Sequence, residues 1–231
     1  MIHGLRIRES NNKDHTPILT YTSHFVRTNV YLEEQRVKQP VILKIGWLAA
    51  GMPTFLARMA VLAINKMTCF VRDVGKITSG TANTALEFHE GRLMALNEGS
   101  LPFQIRVERN GGVNSVGYLD YGGILKHAMT AHPKVDSKTG EMRFFNYSLE
   151  PSSGVRVNYT VMKEGKIIST MQITKEDMPY PIMMHDFSIT ENYSILLDLP
   201  LVFDEERAKK LLNPVTFRKD LPSRLGVSTY I

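Results

Sequence analysis

The strongest constraint on the fold of this chain is a recurring series of short β-rich runs joined by tight turns. The runs TALEFH and RLMALN are separated by Glu90-Gly91, and FQIRVER is followed by Asn110-Gly111-Gly112 and then VNSVGYLDY. Such runs, joined by two to four turn residues, predict antiparallel meanders. The organisation restarts near residues 82, 130 and 183. Four-stranded units that recur every 40 to 50 residues or so are typical of β-propeller blades. The pattern therefore favours a propeller over the alternative, a β-sandwich with meander topology.

Composition excludes several classes of protein. The 231 residues are 43% hydrophobic and 22% charged, which is typical of a globular protein. The one cysteine, Cys69, excludes an internal disulfide framework and fits a reducing compartment, and the start MIHGLRIRES lacks the apolar core of a signal peptide. These features predict an intracellular protein. The net charge of +5 is scattered, without a basic run, so we expect no nucleic-acid partner and at most a weak attraction to anionic lipid.

One segment, 45–70, breaks the β pattern. It reads IGWLAAGMPTFLARMAVLAINKMTCF and is nearly apolar throughout. Pro53 suits the start of a helix, and the following residues 55–66 contain neither Gly nor Pro. The helix could be buried against the β body, or it could lie in a membrane surface with Trp47 and Arg58 at the headgroup level. Composition alone favours the buried helix.

Two histidines occupy equivalent places in consecutive units. His132 stands in MTAHP and His185 in MMHDF, each predicted on the first strand of its unit. In a propeller that strand lines the central axis, so the two imidazoles would converge on one point. Imidazole is the commonest protein ligand for a transition metal, but two buried histidines bonded to backbone carbonyls fit the same spacing, and both interpretations stay open. His89, directly before a turn, is expected to be exposed.

Three longer stretches carry a family resemblance. GTANTALEFHEGRLMALNEGSLPFQI, MTAHPKVDSKTGEM and MMHDFSITENYSILLDLPL resemble the plant-type carotenoid cleavage dioxygenases, most closely those that cleave the 9,10(9',10') double bonds. The opening MIHGLRI and the later FVRTNVYLEE do so too, and the resemblance extends from Met1 to about Val227. It implies a seven-bladed propeller with non-haem iron(II) on its axis, held by four histidines. It further implies cleavage of a conjugated C=C bond of a carotenoid or apocarotenoid by O2, which gives aldehyde or ketone apocarotenoids.

The resemblance assigns roles to four residues. His132 in TAHPK and His185 in MMHDF match two of the iron ligands. Glu98 in MALNEGSLP matches a glutamate that accepts the free imidazole N–H of a ligand, and such a carboxylate fixes the tautomer and the ring orientation. Thr84 in TANTAL matches a small residue near the open iron position. The resemblance also implies that segment 45–70 contacts a membrane to collect the lipophilic substrate. This reverses the preference for a buried helix that composition alone gave. The protein is then expected at a membrane surface in either the cytoplasm or the plastid.

The chain also departs from the family pattern. The segments that supply the third and fourth histidines are absent, and the run after Arg224-Leu225-Gly226-Val227 differs from the family's. We therefore expect 1–231 to be a partial propeller of about three to four blades, cut from a longer enzyme and inactive alone. The alternative is a non-catalytic, truncated propeller that binds carotenoid or a partner without turnover. A lactonase-type propeller hydrolase fits less well, because its calcium ligands are carboxylates and amides rather than histidines.

Overall fold

The computed structural model describes residues 1–9, 16–42, 52–68, 70–72, 77–150, 154–174, 176–204, 206–207, 210 and 212–229. Most of the elements are short β-strands. In chain order they are β1 (Ile2–Arg8), β2 (Ile18–His24), α1 (Asn29–Val37), α2 (Met52–Met67), β3 (Ala85–His89), β4 (Arg92–Leu96), β5 (Phe103–Val107), β6 (Val113–Tyr118), β7 (Lys134–Val135), β8 (Met142–Glu150), β9 (Gly154–Lys163), β10 (Lys166–Gln172), β11 (Phe187–Ile189), β12 (Tyr193–Asp198), β13 (Leu201–Phe203), β14 (Val215–Phe217) and β15 (Arg224–Thr229).

The strands form successive antiparallel sheets. Strands β3-β4-β5-β6 make a four-stranded meander, which we call sheet 1, and β7-β8-β9-β10 make a second one, sheet 2. Sheet 3 is β11-β12-β15, and the pair β13-β14 lies between β12 and β15 in the chain. The pair β1-β2 precedes sheet 1. The predicted all-β class and the three restarts are confirmed, since the first strands begin at Ala85, Lys134 and Phe187. Closure into a seven-bladed ring stays a prediction.

Two of the described hairpins turn through two consecutive residues in the left-handed region. Glu90 and Gly91, between β3 and β4, have φ of 49° and 74°, and Glu164 and Gly165, between β9 and β10, have φ of 50° and 68°. Two consecutive positive φ values are characteristic of a type I′ turn, whose twist matches that of the flanking strands. These turns set the register of the pair β3-β4 in sheet 1 and of the pair β9-β10 in sheet 2.

Within the described part of the chain, three apolar cores lie between neighbouring layers. Val26 and Phe103 belong to the core beside β1-β2, Phe144 to the core between sheets 1 and 2, and Phe145 and Phe187 to the core between sheets 2 and 3. Phe144 and Phe145 are both fully buried although they point to opposite faces of β8. A strand covered on both faces is apolar at consecutive positions, which explains why β8 shows no alternation.

Helix α2 spans Met52–Met67, as the sequence predicted, with Pro53 in its first turn. Most of its large apolar side chains are exposed, among them Leu56 by 45%, Ile64 by 58% and Met67 by 83%. The buried-helix interpretation is therefore wrong for the described part of segment 45–70, and Trp47 lies outside the described residues. None of the helices described is both long enough and apolar enough to cross a bilayer.

Helix α1 holds the segment that follows α2. The buried carboxylate of Glu33 accepts a hydrogen bond from Arg36 Nε at 3.0 Å and one from the backbone N–H of Arg72 at 2.7 Å. Arg36 also donates to the carbonyl of Phe70. The hydrogen bonds from Arg36, and then from Arg72, lower the pKa of Glu33 to about 2.

Candidate metal centre

The two predicted histidines lie at the same place in sheets 2 and 3. His132 lies two residues before β7 and His185 two residues before β11. The prediction that they sit on the first strands was therefore wrong by two residues, because ladder pairing in both sheets begins only after the histidine. The backbone N–H of His132 donates to Thr130 Oγ1 at 3.2 Å, and the hydroxyl of Tyr147 donates to the carbonyl of Met184. These bonds hold the two entry segments against the sheets.

The structure brings three of the predicted site residues together. His132 Nε2 lies 3.2 Å from His185 Nε2, and His185 Nδ1 lies 2.6 Å from Glu98 Oε1. Glu98 comes from the turn between β4 and β5, so sheets 1, 2 and 3 each contribute one residue. One nitrogen or oxygen atom from each of the three lies within 4.8 Å of the others. We call these three residues the His-Glu cluster.

The separation of the two nitrogens suits a shared transition metal. With a metal–imidazole distance of about 2.1 Å, two nitrogens 3.2 Å apart subtend roughly 100° at the metal. That angle fits neighbouring positions of a tetrahedral or octahedral centre. If His185 donates its Nδ1–H to Glu98, its Nε2 carries a lone pair directed at His132. The contact then needs either a proton on His132 Nε2 or a cation between the rings.

The carboxylate of Glu98 is suited to orienting His185 rather than to solvent contact. Its Oε1 is buried and, among the described residues, receives no hydrogen bond of good geometry, although His185 Nδ1 is only 2.6 Å away. Burial raises the pKa of Glu98, and the charges of His185 and His132 oppose that rise. A cation on the imidazole side would favour the ionised carboxylate. The cluster therefore offers two imidazole ligands and an orienting carboxylate, which are part of what a bound divalent metal requires.

The surroundings are apolar on one side and open on the other. Ala131, Met184 and Phe187 flank the histidines and are exposed by 0%, 2% and 1%, whereas the side chain of His185 is 66% exposed. The imidazoles are thus backed by packed core and reachable from the opposite side.

An ion pair adjoins the cluster. Lys134 Nζ lies 2.8 Å from Asp186 Oδ1 and 5.8 Å from the centre of the Phe187 ring. Burial alone would raise the pKa of Asp186, but the hydrogen bonds from Lys134 and from the backbone N–H of Phe187, together with the charge of Lys134, outweigh it and lower the pKa. Asp186 is consequently held by Lys134, which leaves Glu98 as the carboxylate next to His185.

Thr84 lies at the entry to β3, outside the His-Glu cluster. It is exposed, its N–H donates to the carbonyl of Leu96 at 3.0 Å, and its hydroxyl lies 3.5 Å from Asn83 Oδ1. Thr84 also lines an open cavity of about 320 Å³ together with residues 1–3. It precedes the first strand of sheet 1, much as the histidines precede those of sheets 2 and 3, and its predicted role near an open metal position stays a prediction.

The expectation that His89 is exposed was wrong. The residue is 4% exposed, and its Nε2 lies 2.9 Å from the carbonyl of Gly140 in the β7–β8 turn. The turn residues that follow His89 suggested solvent, but the neighbouring sheet covers this end of β3. No local signal in the sequence indicates such a contact between sheets.

Comparison with known proteins gives one family. The family model described as retinal pigment epithelial membrane protein, RPE65, matches residues 1–229. The carotenoid 9,10(9',10')-cleavage dioxygenase 1 of Pisum sativum is 39% identical over 98% of this chain and 39% of its own length. The corresponding enzyme of Crocus sativus is 39% identical over 91% of this chain and 36% of its own length. The chain thus spans about two fifths of the length of these curated relatives.

Solved structures show the same fold at lower identity. The lignostilbene dioxygenase of Pseudomonas brassicacearum is 24% identical with a TM-score of 0.67, covering 93% of this chain and 40% of its own. Cobalt-substituted Synechocystis ACO is 22% identical with a TM-score of 0.60, covering 91% of this chain and 42% of its own.

Proposed function

Because the chain belongs to the RPE65/carotenoid cleavage dioxygenase family, we propose that it provides half of the iron site of a dioxygenase that cleaves carotenoids or apocarotenoids. The proposed reaction cleaves a conjugated C=C bond with O2 and gives aldehyde or ketone apocarotenoids. The observation that carries the proposal is the pair of Nε2 atoms 3.2 Å apart, contributed by two different sheets and backed by Glu98.

The proposed cofactor is iron(II), held by His132 and His185. Neutral imidazoles suit iron as well as zinc and copper, so the family resemblance and not the ligand chemistry selects iron. Bound there, iron(II) supplies the activation of O2. One neighbouring structure is described as cobalt-substituted, which is consistent with a divalent metal in that protein.

Other residues of this chain position the two histidine ligands and shield them from water. Glu98 Oε1 lies 2.6 Å from His185 Nδ1, and in the metal-bound site we expect it to accept the Nδ1–H, which keeps the lone pair of the ring on Nε2 and directs it toward His132. Tyr147 holds the carbonyl of Met184, so the backbone directly before His185 is fixed. The packed apolar side chains behind the rings exclude water from one side of the site. Thr84 is proposed to lie near the open position.

The exposed helix α2 supports a membrane role in substrate collection. Along Met52–Met67 the large apolar side chains of Leu56, Met59, Val61 and Ile64 are each at least 40% exposed. A carotenoid partitions into lipid, and an exposed apolar helix can lie in the interface and receive it there. We also propose that the sheets are three to four blades of a seven-bladed propeller, and that this chain is inactive alone.

A chimaera tests the proposed function directly. Residues 1–229 replace the matching segment of the Pisum sativum dioxygenase, and the product is incubated with iron(II), O2 and a carotenoid. We expect aldehyde products by chromatography. Activity should fall in His132→Ala and in His185→Ala by more than the roughly tenfold to hundredfold that loss of an outer-shell partner costs, because each variant removes a proposed ligand. Phe88→Ala, a change at an exposed position in β3, serves as the control.

Retained activity in either histidine variant would contradict the ligand assignment. The chain alone should give no product. A carotenoid that co-purifies with the chain, with a shifted absorption band and no product, would favour the non-catalytic alternative.

A further inference from the structure

The side chain of Asn97, at the end of β4, joins two parts of sheet 1. Its Oδ1 accepts the backbone N–H of Gly99 at 3.1 Å, which closes the turn that carries Glu98. Its Nδ2 donates to Thr81 Oγ1 at 3.3 Å and to Asn83 Oδ1 at 3.2 Å, on the segment that leads into β3. One amide thus shapes the turn and ties it to the neighbouring segment.

The direction of the Asn97 amide follows from its neighbours. The N–H of Gly99 can only donate, so it requires the oxygen of Asn97. Asn83 Oδ1 can only accept, so it requires the nitrogen. Rotating the amide by half a turn would place its NH₂ group against the N–H of Gly99 and its oxygen against Asn83 Oδ1. Both contacts would be repulsive, so the orientation of the amide is fixed.

The same network reaches Thr84. Asn83 Oδ1 accepts from Thr81 Oγ1 at 2.6 Å and lies 3.5 Å from Thr84 Oγ1, and the Thr84 N–H is bonded to Leu96 directly before Asn97. Chains of hydrogen-bonded side chains rigidify the groups they connect.

Gly80 adds a close approach to the same region. A Cβ at this position would lie 1.9 Å from Ser100 Oγ, so only glycine allows the segment to pack against the turn. The segment before β3 and the turn that carries Glu98 are thus packed as one body.

We propose that Asn97 is a positioning residue that holds the turn of Glu98, and through it the ring of His185, in register with the segment of Thr84. The metal part of this proposal rests on the proposed function. Without the amide, the turn loses its internal acceptor and its tie to β3. The carboxylate of Glu98 then samples positions away from Nδ1, and both tautomers of His185 become populated.

The test uses two measurements on the chain. Co²⁺ titration gives the dissociation constant, and long-range ¹H–¹⁵N NMR of the metal-free chain, at a pH where the rings are neutral, gives the tautomer of His185. Asn97→Ala should raise the dissociation constant roughly fivefold, the effect of one lost neutral hydrogen bond, and should give mixed tautomers. Asn83→Ala keeps the turn and the hydrogen bond from Asn97 to Thr81 but removes the one to Asn83, and should raise the dissociation constant roughly threefold.

Asn110→Ala is the matched control. Asn110 Oδ1 accepts the N–H of Gly112 at 2.9 Å in the β5–β6 turn, so the variant removes the same kind of bond elsewhere in sheet 1. It should change neither the Co²⁺ affinity nor the tautomer. If Asn97→Ala fails to fold, Asn83→Ala carries the same comparison.

Two results would overturn the proposal, and each is separable from failure of the proposed function. One is an Asn97→Ala variant with the affinity and tautomer of Asn110→Ala. The other is an unchanged tautomer in both Asn97→Ala and Asn83→Ala. If wild type binds no Co²⁺, the metal proposal fails, and the tautomer of His185 alone decides the role of Asn97.

Discussion

Replacing Glu98 by Gln should weaken metal binding while leaving the metal-free fold at least as stable. The side chain is mostly buried and its carboxylate lies 2.6 Å from His185 Nδ1. Gln has nearly the same shape and keeps an acceptor oxygen for the Nδ1–H. What the substitution removes is the negative charge behind the ligand.

The expected loss of metal affinity follows from the position of this charge behind the ligand His185. Removing a carboxylate behind a metal-bound histidine costs tenfold to a hundredfold in affinity, about 1.4 to 2.8 kcal/mol. Because Gln keeps the acceptor, Glu98→Gln should lie near the tenfold end, and Glu98→Ala near a hundredfold.

The stability should respond in the opposite direction. Burial raises the pKa of Glu98. A raised carboxyl pKa means that the contribution of Glu98 to stability is present below the usual value of 4.5 and is lost as the pH rises through the folded-state pKa. At neutral pH the carboxylate therefore disfavours the metal-free fold, and Gln removes that cost. The melting temperature of metal-free Glu98→Gln should therefore equal or exceed that of wild type.

Two assays test the predicted changes in metal affinity and in stability. Calorimetric titration with Co²⁺ gives the affinity, and thermal unfolding monitored by circular dichroism in a chelator gives the stability of the metal-free chain. Unchanged affinity in Glu98→Gln would refute the contribution of the charge, and a melting temperature lowered by several degrees would refute the cost of burying it. Unchanged affinity in Glu98→Ala would refute the orienting role of Glu98.

Three further predictions concern the rest of the fold. Phe144→Ala, in the core between sheets 1 and 2, should lower the free energy of unfolding by about 3 to 5 kcal/mol in urea titrations, whereas Phe88→Ala, 63% exposed, should change it by less than about 0.5 kcal/mol. Because the pKa of Glu33 is lowered to about 2, its contribution to stability is present above about 4.5 and is lost as the pH falls toward 2. Lowering the pH from about 4.5 to about 2 should therefore lower the urea midpoint of wild type more than that of Glu33→Gln. An equal fall in both proteins would count against the hydrogen bonds of Glu33 with Arg36 and Arg72. Ile64→Glu, at an exposed position of α2, should reduce sedimentation with phosphatidylcholine vesicles, and equal binding of both chains would show that α2 does not enter the interface.

The fold class was predictable because strand periodicity and turn residues are local signals. Glu90-Gly91 marks a two-residue hairpin by its own conformational preference, and the restarts of the pattern locate the sheets to within a few residues. What the local pattern misses is contact between sheets. His89 is buried by the turn at Gly140, and nothing near His89 in the sequence indicates that neighbour.

The candidate site was predictable in its residues but not in its geometry. Equivalent positions in consecutive units singled out His132 and His185, and the family resemblance added Glu98 and Thr84. The sequence could not place the histidines before rather than on the first strands, because ladder pairing decides where a strand begins. Nor could it identify Asn97, whose role depends on one amide reaching two separate segments.

A crystal of this chain grown with millimolar Co²⁺, measured on both sides of the cobalt absorption edge, tests the shared metal site most directly. If the two histidines share one metal, we expect one anomalous peak about 2.1 Å from the Nε2 atoms of both His132 and His185, and no cobalt bonded to Glu98. A peak that contacts only one of the two histidines, or no peak at this place while cobalt binds elsewhere, would contradict it.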